Sequence, residues 1–322
     1  MKKQLFIIIT SLILFLIPNI NYGQAPNLGV ASGFAIFTAT GAVTNNGTSV
    51  INGDIGTNVG AFTGFPPGTI NGQTHVADAT TAQAATDVNT AYTYLYNLSG
   101  TVIGVGLGNG QTLLPGTYST GAASTLNGTI TLDGQNNPNS LFIIKIGGAF
   151  ATGTHSNVIL INSASLCNVY WQIGGQFDLG DSSVFKGTIV ADGAINLLQG
   201  STLFGRGLSR AGAISLYNNV VAYMPAAAGT ITGNYKACQS QNGVIYSVPP
   251  INNTTGYIWT LPTGATIISG VNTNSITVNF SSTASSGNIT VSGTNACGSG
   301  IASSNYAITV SALPTTSAIY HQ

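Results

Sequence analysis

The residues best suited to chemistry in this chain are three aspartates near its middle. Asp178 and Asp181 lie close together in sequence, and Asp192 follows within one more repeat of the chain. Two carboxylates facing one cleft are the basis of glycoside hydrolysis, and β-helical folds host many polysaccharide lyases and hydrolases. The basic side chains that could complete such a site are Lys186, Arg206 and Arg210. Aspartate is also common at corners and turns, where it bonds to nearby backbone groups. We favour that interpretation and expect no active site.

Histidine, which often binds metals or activates nucleophiles, is rare and dispersed. His75, His155 and His321 are isolated from one another and from cysteine at ligand spacing. His155 stands beside Ser156, but a triad also needs an orienting acid nearby. Calcium needs clustered acid oxygens, and no acid follows Asp192. We therefore predict no metal, no cofactor, no small-molecule substrate and no enzymatic activity.

Charge is nearly absent from the chain. Charged residues make up 4% of it, with seven basic and seven acidic side chains and a formal net charge of zero. Such a surface has no electrostatic attraction for nucleic acid or anionic lipid. Hydrophobic residues reach 43%, which is enough to bury a core, and the 42 glycines are typical of β structure with tight turns. The composition excludes disorder and a nucleic-acid partner.

The N-terminus has the features of a secretory signal peptide, which we place at residues 1–23. Lys2 and Lys3 precede an apolar run at residues 5–17, Pro18 ends the run, and the small residue Gly23 comes before the predicted cut. A membrane-spanning helix would need roughly 20 apolar residues. We expect an extracellular protein, either free or attached to the cell surface.

Residues 27–223 carry an internal repeat. One block ends in a large apolar residue at Phe150, Phe177, Ile195 and Ile214, spaced 27, 18 and 19 residues apart. A spacing of 18 to 19 residues predicts a solenoid with three short strands per turn. These four side chains should therefore stack on one another inside the solenoid.

A second block begins with serine and contains a glycine that should form a corner. It occurs at residues 124–130, 183–189 and 201–207, with an earlier echo at residues 49–55. Alternation along a strand places Leu126, Phe185 and Leu203 inside. Aligning the blocks predicts one outward ladder through Val50, Thr125, Val184 and Thr202 and another through Asp54, Thr129, Thr188 and Arg206.

Residues 78–98 break the repeat and predict a helix. The segment has no glycine or proline, and Asp78 is a suitable N-cap. Its apolar residues follow a helical stripe at Ala84, Val88, Ala91, Leu95 and Leu98. A single helix cannot form another coil, so we expect it to lie along the stack and cover one face.

The chain changes character near residue 224. We predict a linker at 224–230, a β-sandwich of immunoglobulin type at 231–311 with Trp259 in its core, and a tail or the start of a further module at 312–322. Cys238 and Cys297 both fall in this second domain, so we predict a disulfide between them. Cys167 is then left over as a small buried residue.

Several stretches of residues 27–223 resemble the type 1 ice-binding domain of secreted microbial proteins. They include Asn27-Leu-Gly29, Leu114-Pro-Gly-Thr-Tyr118, Asn168-Val-Tyr-Trp-Gln172 and Gly205-Arg-Gly-Leu208. The resemblance implies an all-β protein built on an irregular right-handed β-helix with one long α-helix alongside. The stretches Tyr257-Ile-Trp-Thr-Leu-Pro262 and Thr294-Asn-Ala-Cys-Gly298 make residues 231–311 resemble a PKD-like module. The implied partner is the surface of an ice crystal, bound by a monomer.

Ice has no pocket and no net charge, so a protein that binds it needs a rigid face with its own periodicity. Short uncharged side chains suit such a face because they lose little entropy on binding. The residues predicted for it are Thr38, Thr40, Thr48, Thr125, Thr129, Thr154, Ser156, Asn157, Ser182, Thr188 and Thr202. The alternative is a surface adhesin or structural protein without affinity for ice, attached to the cell envelope through further C-terminal modules.

Overall fold

The computed structural model describes residues 24–251, 254–295 and 297–313. The predicted signal peptide and residues 314–322 of the predicted tail lie outside this range. The described chain is mostly β with one α-helix, which confirms the predicted class at that level.

The N-terminal part is a stack of short parallel strands. In chain order they are β1 (Phe34–Thr38), β2 (Val43–Asn46), β3 (Val50–Asn52), β4 (Asp54–Thr57), β5 (Phe62–Thr63), β6 (Thr69–Asn71), β7 (Thr74–Val76), β8 (Thr101–Val102), β9 (Gly106–Gly108), β10 (Gln111–Leu113), β11 (Gly116–Ser119), β12 (Ser124–Asn127), β13 (Thr129–Asp133), β14 (Phe142–Ile146), β15 (Phe150–Thr152), β16 (Asn157–Ile161), β17 (Val169–Ile173), β18 (Phe177–Leu179), β19 (Val184–Ala191), β20 (Ile195–Leu197), β21 (Thr202–Ser209), β22 (Ile214–Tyr217) and β23 (Val220–Ala222). The helix α1 spans Ala79–Asn97, and short 3-10 helices span Gly29–Gly33 and Leu166–Asn168.

These strands form a solenoid with three faces. Face 1 consists of β7, β4, β1, the second halves of β21 and β19, and then β17, β14, β11 and β8. Face 2 is the eight-stranded sheet β5-β2-β22-β20-β18-β15-β12-β9. Face 3 consists of β6, β3, β23, the first halves of β21 and β19, and then β16, β13 and β10. The long strands β19 and β21 pass through the corner between faces 3 and 1.

The coils do not stack in the order of the chain. After β7, at one end of the stack, α1 carries the chain to β8 at the other end, and the following coils return. The last of these coils pairs with the first coil of the chain, with Ile36 beside Gly207 and Val43 beside Ile214. The two ends of the stack are therefore formed by internal segments of the chain.

The predicted internal stack is confirmed. Phe150, Phe177, Ile195 and Ile214 are paired in consecutive coils of face 2, and all four are buried. Trp171 extends this stack with its ring centroid 5.7 Å from that of Phe150. The inward residues of the second block, Leu126, Phe185 and Leu203, are also buried as expected, and Phe185 pairs with Leu203.

The predicted helix is confirmed, with Asp78 as its N-cap. The Asp78 carboxylate accepts a hydrogen bond from the Thr81 backbone N–H at 2.8 Å, and Thr81 Oγ1 in turn accepts one from the Asp78 N–H. Ala84, Val88 and Leu95 pack into a second core with apolar residues of face 1. Face 1 is thus covered. Among the described residues, no helix is long and apolar enough to cross a membrane.

Residues beyond the solenoid form a second β domain. Its strands are β24 (Thr232–Gly233), β25 (Lys236–Cys238), β26 (Val244–Ser247), β27 (Gly256–Thr260), β28 (Ala265–Ser269), β29 (Ser275–Phe280), β30 (Gly287–Asn295), β31 (Gly298–Ser299) and β32 (Tyr306–Ser311). The sheet β24-β26-β29-β28 and the sheet β25-β32-β30-β27 share one core, which includes Tyr246, Val278 and Val291. Trp259 is half-buried at its margin, and its indole N–H donates to the Thr273 carbonyl. We call this domain the C-terminal module.

The predicted disulfide between Cys238 and Cys297 is wrong. Cys297 is bonded to Cys167, and Cys238 is a free, exposed thiol. Cys238 pairs with Ser311 at the end of β32. Because β32 runs antiparallel to β30, Ser311 lies beyond the first residue of β30, whereas Cys297 follows the last residue of β30. The two cysteines are therefore at opposite ends of the module.

The disulfide joins the module to one corner of the solenoid. Cys167 lies between β16 and β17, at the corner between faces 3 and 1. At the same corner, the Asn295 side-chain amide donates to the Tyr223 carbonyl at 3.2 Å. A cavity of about 260 Å³ separates the module from Asn52 and Asn71 at the edge of face 3. In a three-sided stack this corner is opposite face 2, so the module leaves face 2 uncovered.

Candidate functional site

The acidic and basic residues considered for catalysis are distributed around the solenoid. Asp178 lies on face 2, Lys186 lies on face 3, and Asp181 is exposed in a turn between them. Asp192 forms an ion pair with Arg210 at 3.1 Å, at the corner between faces 1 and 2. Nothing in this arrangement resembles a pair of carboxylates lining one cleft.

The remaining charged groups of interest have structural partners. Arg206 is buried, and its guanidinium stacks on the Tyr223 ring at 3.8 Å. His75 contacts Asp78 at 2.8 Å, and the hydrogen bond from the Thr81 backbone is the main cause that lowers the pKa of Asp78. His155 is exposed in a turn, while His321 lies outside the described residues. Across residues 24–251, 254–295 and 297–313, no three potential metal ligands gather.

Face 2 presents two regular columns of short side chains. The central column, read from one end of the stack to the other, is Thr63, Thr44, Ser215, Asn196, Asp178, Ala151, Thr125 and Gly106. The column beside it is Ala61, Ala42, Ala213, Ala194, Gln176, Ala149 and Ala123. The residues between the two columns point inward, and most of them are large and apolar. The result is a surface of methyl, hydroxyl and amide groups on a repeating backbone.

The spacing of these groups follows from the strand geometry. Neighbouring coils lie about 4.8 Å apart, and alternate residues along a strand lie about 6.7 Å apart. Hydrogen bonds within and between the coils fix several of the polar groups. The Asn196 amide donates to the Asp178 carboxylate at 2.7 Å, as does the Gln176 amide, and Thr44 donates to Ser215 at 3.4 Å. The columns are therefore held in place before any ligand arrives.

Face 2 has one irregular region. Beside Asp178, the small residues Ala149 and Ala151 leave a shallow depression of about 250 Å³. Asp178 is also the one ionisable side chain of the central column. At the far margin of the face, Leu198 and Tyr217 are larger than their neighbours in the columns.

Face 3 has the same backbone period and a different surface. One outward column reads Thr69, Val50, Val220, Thr202, Val184, Asn157 and Thr129. The next column places Phe204 beside Lys186 and Ile159 beside Thr131. Burial lowers the pKa of Lys186. Bulky, apolar and basic side chains therefore interrupt any regular array on this face.

The predicted ice-binding residues do not lie on one face. Thr38, Ser156 and Thr188 are buried, so their prediction as surface groups is wrong. Thr38 and Ser156 donate hydrogen bonds to the carbonyls of Gly212 and Leu126. They serve the interior of corners, where an unbonded carbonyl would be costly.

The other predicted residues are divided among two faces and the turns. Thr125 belongs to face 2, whereas Thr129, Asn157 and Thr202 belong to face 3. The exposed turn residues are Thr40, Thr48, Thr154 and Ser182. What the sequence reasoning missed is the alanine column of face 2. Its signal was the recurring alanine that stands directly before an inward apolar residue, as in Ala149-Phe150, Ala194-Ile195 and Ala213-Ile214.

The two predicted ladders mix different faces and are also wrong. Val50, Val184 and Thr202 do share a column of face 3, but Thr125 lies on face 2. In the second ladder Thr188 pairs with Arg206, whereas Thr129 belongs to face 3. The block at residues 124–130 turns from face 2 to face 3, while the similar block at 183–189 turns from face 3 to face 1.

Two family models match the chain. Residues 37–222 match the model described as ice-binding-like, and residues 224–308 match the model of a PKD-like domain. A relative named ice-binding protein, from Nostoc sp. (strain HG1), is 38% identical over 199 residues, which are 61% of this chain and 73% of the relative. Ice-binding protein 1 of Shewanella frigidimarina is 31% identical over 235 residues, but the match spans only 26% of that protein.

Solved structures show the same similarity. An ice-binding protein of the Antarctic ascomycete Antarctomyces psychrotrophicus aligns with a TM-score of 0.60 and 36% identity, over 62% of this chain and 98% of that one. An ice-binding protein of an Antarctic bacterium of the Flavobacteriaceae aligns with a TM-score of 0.61 and 42% identity, over 62% of this chain and 49% of that one.

Proposed function

We propose that this chain, which belongs to the ice-binding-like family, adsorbs to ice crystals through face 2 and performs no catalysis. The observation that carries the proposal is the pair of columns on face 2, one of alanine apart from Gln176 and one mainly of threonine, serine and asparagine. Relatives named as ice-binding proteins share the solenoid region.

The physical argument starts from the target. An ice surface is a periodic array of water molecules, so a binder gains most when its own groups repeat at fixed spacing. Methyl groups of the alanine column favour cage-like ordering of the adjacent water, and hydroxyl and amide groups of the central column anchor that water by hydrogen bonds. Because the stack already fixes these short side chains, adsorption costs little conformational entropy.

Three features favour face 2 over the other faces. Face 1 is covered by α1. Face 3 carries Phe204 and Lys186, and the C-terminal module approaches its edge. Face 2 is open and lies opposite the corner that holds the module.

The finer predictions extend this proposal. We propose that the solenoid is right-handed, that the C-terminal module is an immunoglobulin-like sandwich, and that the protein is exported and acts as a monomer. The disulfide between Cys167 and Cys297 supports export, since such bonds persist mainly in oxidising compartments.

Ice crystals grown in a dilute solution of the purified protein test the function directly. We expect faceted hexagonal or bipyramidal crystals, and we expect recrystallisation of a frozen polycrystalline film to stop. Round crystals that coarsen freely at high protein concentration would contradict ice binding. An uncharged protein of similar mass at equal concentration controls for viscosity.

A further inference from the structure

A second surface feature lies at the corner between faces 1 and 2. It is a groove of about 430 Å³ between α1 and the solenoid, within the roughly 300–1,000 Å³ range of small-molecule sites. Its lining includes Gly147 and Gly174, which we call the floor, Tyr92 and Tyr96 of α1, which we call the aromatic wall, and Asp192 with Arg210, which we call the polar wall. Asp192 and Arg210 are two of the residues that the sequence singled out and that ice binding leaves unused.

The aromatic wall has an exposed ring. Tyr92 and Tyr96 are one helical turn apart, and their rings are nearly parallel, with centroids 6.2 Å apart and an interplanar angle of 15°. Tyr92 is buried, whereas Tyr96 is 61% exposed. An exposed tyrosine offers a flat apolar ring with a polar tip, and it loses little entropy on contact. Such a ring can pack against the C–H groups of a sugar.

The polar wall is fixed in place. Asp192 and Arg210 are 3.1 Å apart and remain partly exposed. Arg210 also stacks on the Tyr92 ring at 4.4 Å. A carboxylate that accepts and a guanidinium that donates, held side by side, can bond to neighbouring hydroxyl groups of one ligand.

The floor stays free of side chains because the coils are close together. A Cβ atom at Gly147 would lie 2.4 Å from the backbone carbon of Gly121. In the next coil, a Cβ atom at Gly174 would lie 3.0 Å from the backbone oxygen of Gly147. Backbone packing therefore keeps the floor low, and a ligand can approach the tyrosine ring from the side of the solenoid.

The charges around the groove favour a neutral ligand. Arg210 is neutralised by Asp192, and the Lys145 ammonium donates to the carbonyls of Tyr96 and Leu98 at the end of α1. No lining residue therefore offers an unengaged cation for an acidic ligand. Lys145 lies 5.8 Å from the centre of the Tyr96 ring, so a cationic ligand would be repelled.

We propose that this groove binds a neutral sugar unit of a polysaccharide. The sugar stacks on Tyr96, and its hydroxyl groups bond to Asp192 and Arg210. Among the lining residues Asp192 is the one carboxylate, so the groove binds without the paired acids that hydrolysis needs. Because the groove lies beside face 2 and not on it, this site is independent of ice adsorption.

Affinity electrophoresis of the full chain through gels containing dextran, soluble starch or hydroxyethyl cellulose tests the proposal. We expect at least one of these neutral polymers to retard the protein. Tyr96→Ala should weaken that retardation at least about tenfold, and Asp192→Asn should weaken it while retaining the side-chain volume. Tyr94→Ala is the matched control, because Tyr94 lies on the same helix but contacts Gln24 and does not line the groove.

Several results would overturn the proposal. One is that none of the three polymers slows the migration of the protein. Another is that the Tyr96→Ala variant is retarded as strongly as the unchanged protein. A loss in Tyr94→Ala as large as that in Tyr96→Ala would point to helix stability instead. Stronger binding to anionic alginate than to any neutral polymer would exclude a neutral ligand. Circular dichroism melting and ice shaping of each variant show that the solenoid remains folded.

Discussion

Faces 2 and 3 are built from the same coils and differ in their outward side chains. Both have the parallel pairing and the spacing of the stack, so both offer a periodic backbone. On face 2 the outward columns are alanine and short polar residues, while on face 3 valine, phenylalanine and lysine interrupt the pattern. The solenoid thus supplies periodicity on every side, and the choice of side chains decides which side can use it.

The position of the C-terminal module strengthens this contrast. Ala222 of face 3 is only 5% exposed, and Asn52 and Asn71 line the cavity beneath the module. No described residue of the module lines the depression on face 2. One face is thus partly occupied by the protein itself, and the other is free.

A bulky residue at the centre of face 2 should reduce ice binding more than any other single change. Ser215→Tyr raises a ring from the central column and should abolish most of the ice shaping and thermal hysteresis, because the neighbouring columns can no longer reach the crystal. Thr202→Tyr on face 3 is the matched control and should leave activity unchanged. Nanolitre osmometry on both variants measures the effect. If the Thr202 variant lost activity and the Ser215 variant kept it, the assignment of the two faces would be reversed.

Removing the link between the domains should affect stability and spare activity. The disulfide joins residues 130 positions apart, and its loss in Cys167→Ser/Cys297→Ser should lower stability by about 2–4 kcal/mol. Ice shaping at low temperature should persist, because face 2 is on the opposite side. Cys238→Ser, which removes the free thiol, should change neither. A clear gain in shaping once the module is released would indicate that face 3 binds ice.

The N-cap residue Asp78 should stabilise α1, the helix that covers face 1. The hydrogen bond from Thr81 lowers the pKa of Asp78, so the cap stabilises the fold above the unfolded pKa of this carboxyl and loses that effect as the pH falls through the folded value. Asp78→Ala should therefore lower the melting temperature at neutral pH. The difference from the unchanged protein should disappear in strong acid, and an equal difference at every pH would exclude an ionised cap.

Removing the charge from face 2 should change ice-binding activity only slightly. Asp178→Asn removes the one ionisable group of the central column and keeps its size, so we expect a modest increase in hysteresis. Lys186→Thr, which removes a charge from face 3, should have no effect. A decrease for Asp178→Asn would mean that the hydrogen bonds from Gln176 and Asn196 to the carboxylate matter more than its charge.

The elements with strong local signals could be predicted from the sequence. The spacing of Phe150, Phe177, Ile195 and Ile214 gave the stack, and the stripe after Asp78 gave the helix. The corner glycines were also apparent, but not the corner that each one forms. Gly128 and Gly187 both have positive φ in similar blocks, yet one connects faces 2 and 3 and the other faces 3 and 1.

The candidate surface was harder to predict for the same reason. Assigning a threonine to a face requires the register of its coil, and that register is set by contacts between distant segments, as between Ile36 and Gly207. The disulfide was hard to predict for a similar reason, since Cys167 and Cys297 meet only when the module docks on the corner.

The first and last coils of the chain pair with each other in the interior of the stack, and this arrangement has a mechanical consequence. Tension applied to the C-terminal module enters the stack through Tyr223 and Cys167, both of which lie in interior coils. Such a load is shared by strands that are bonded on both sides, and no terminal coil can be peeled away first.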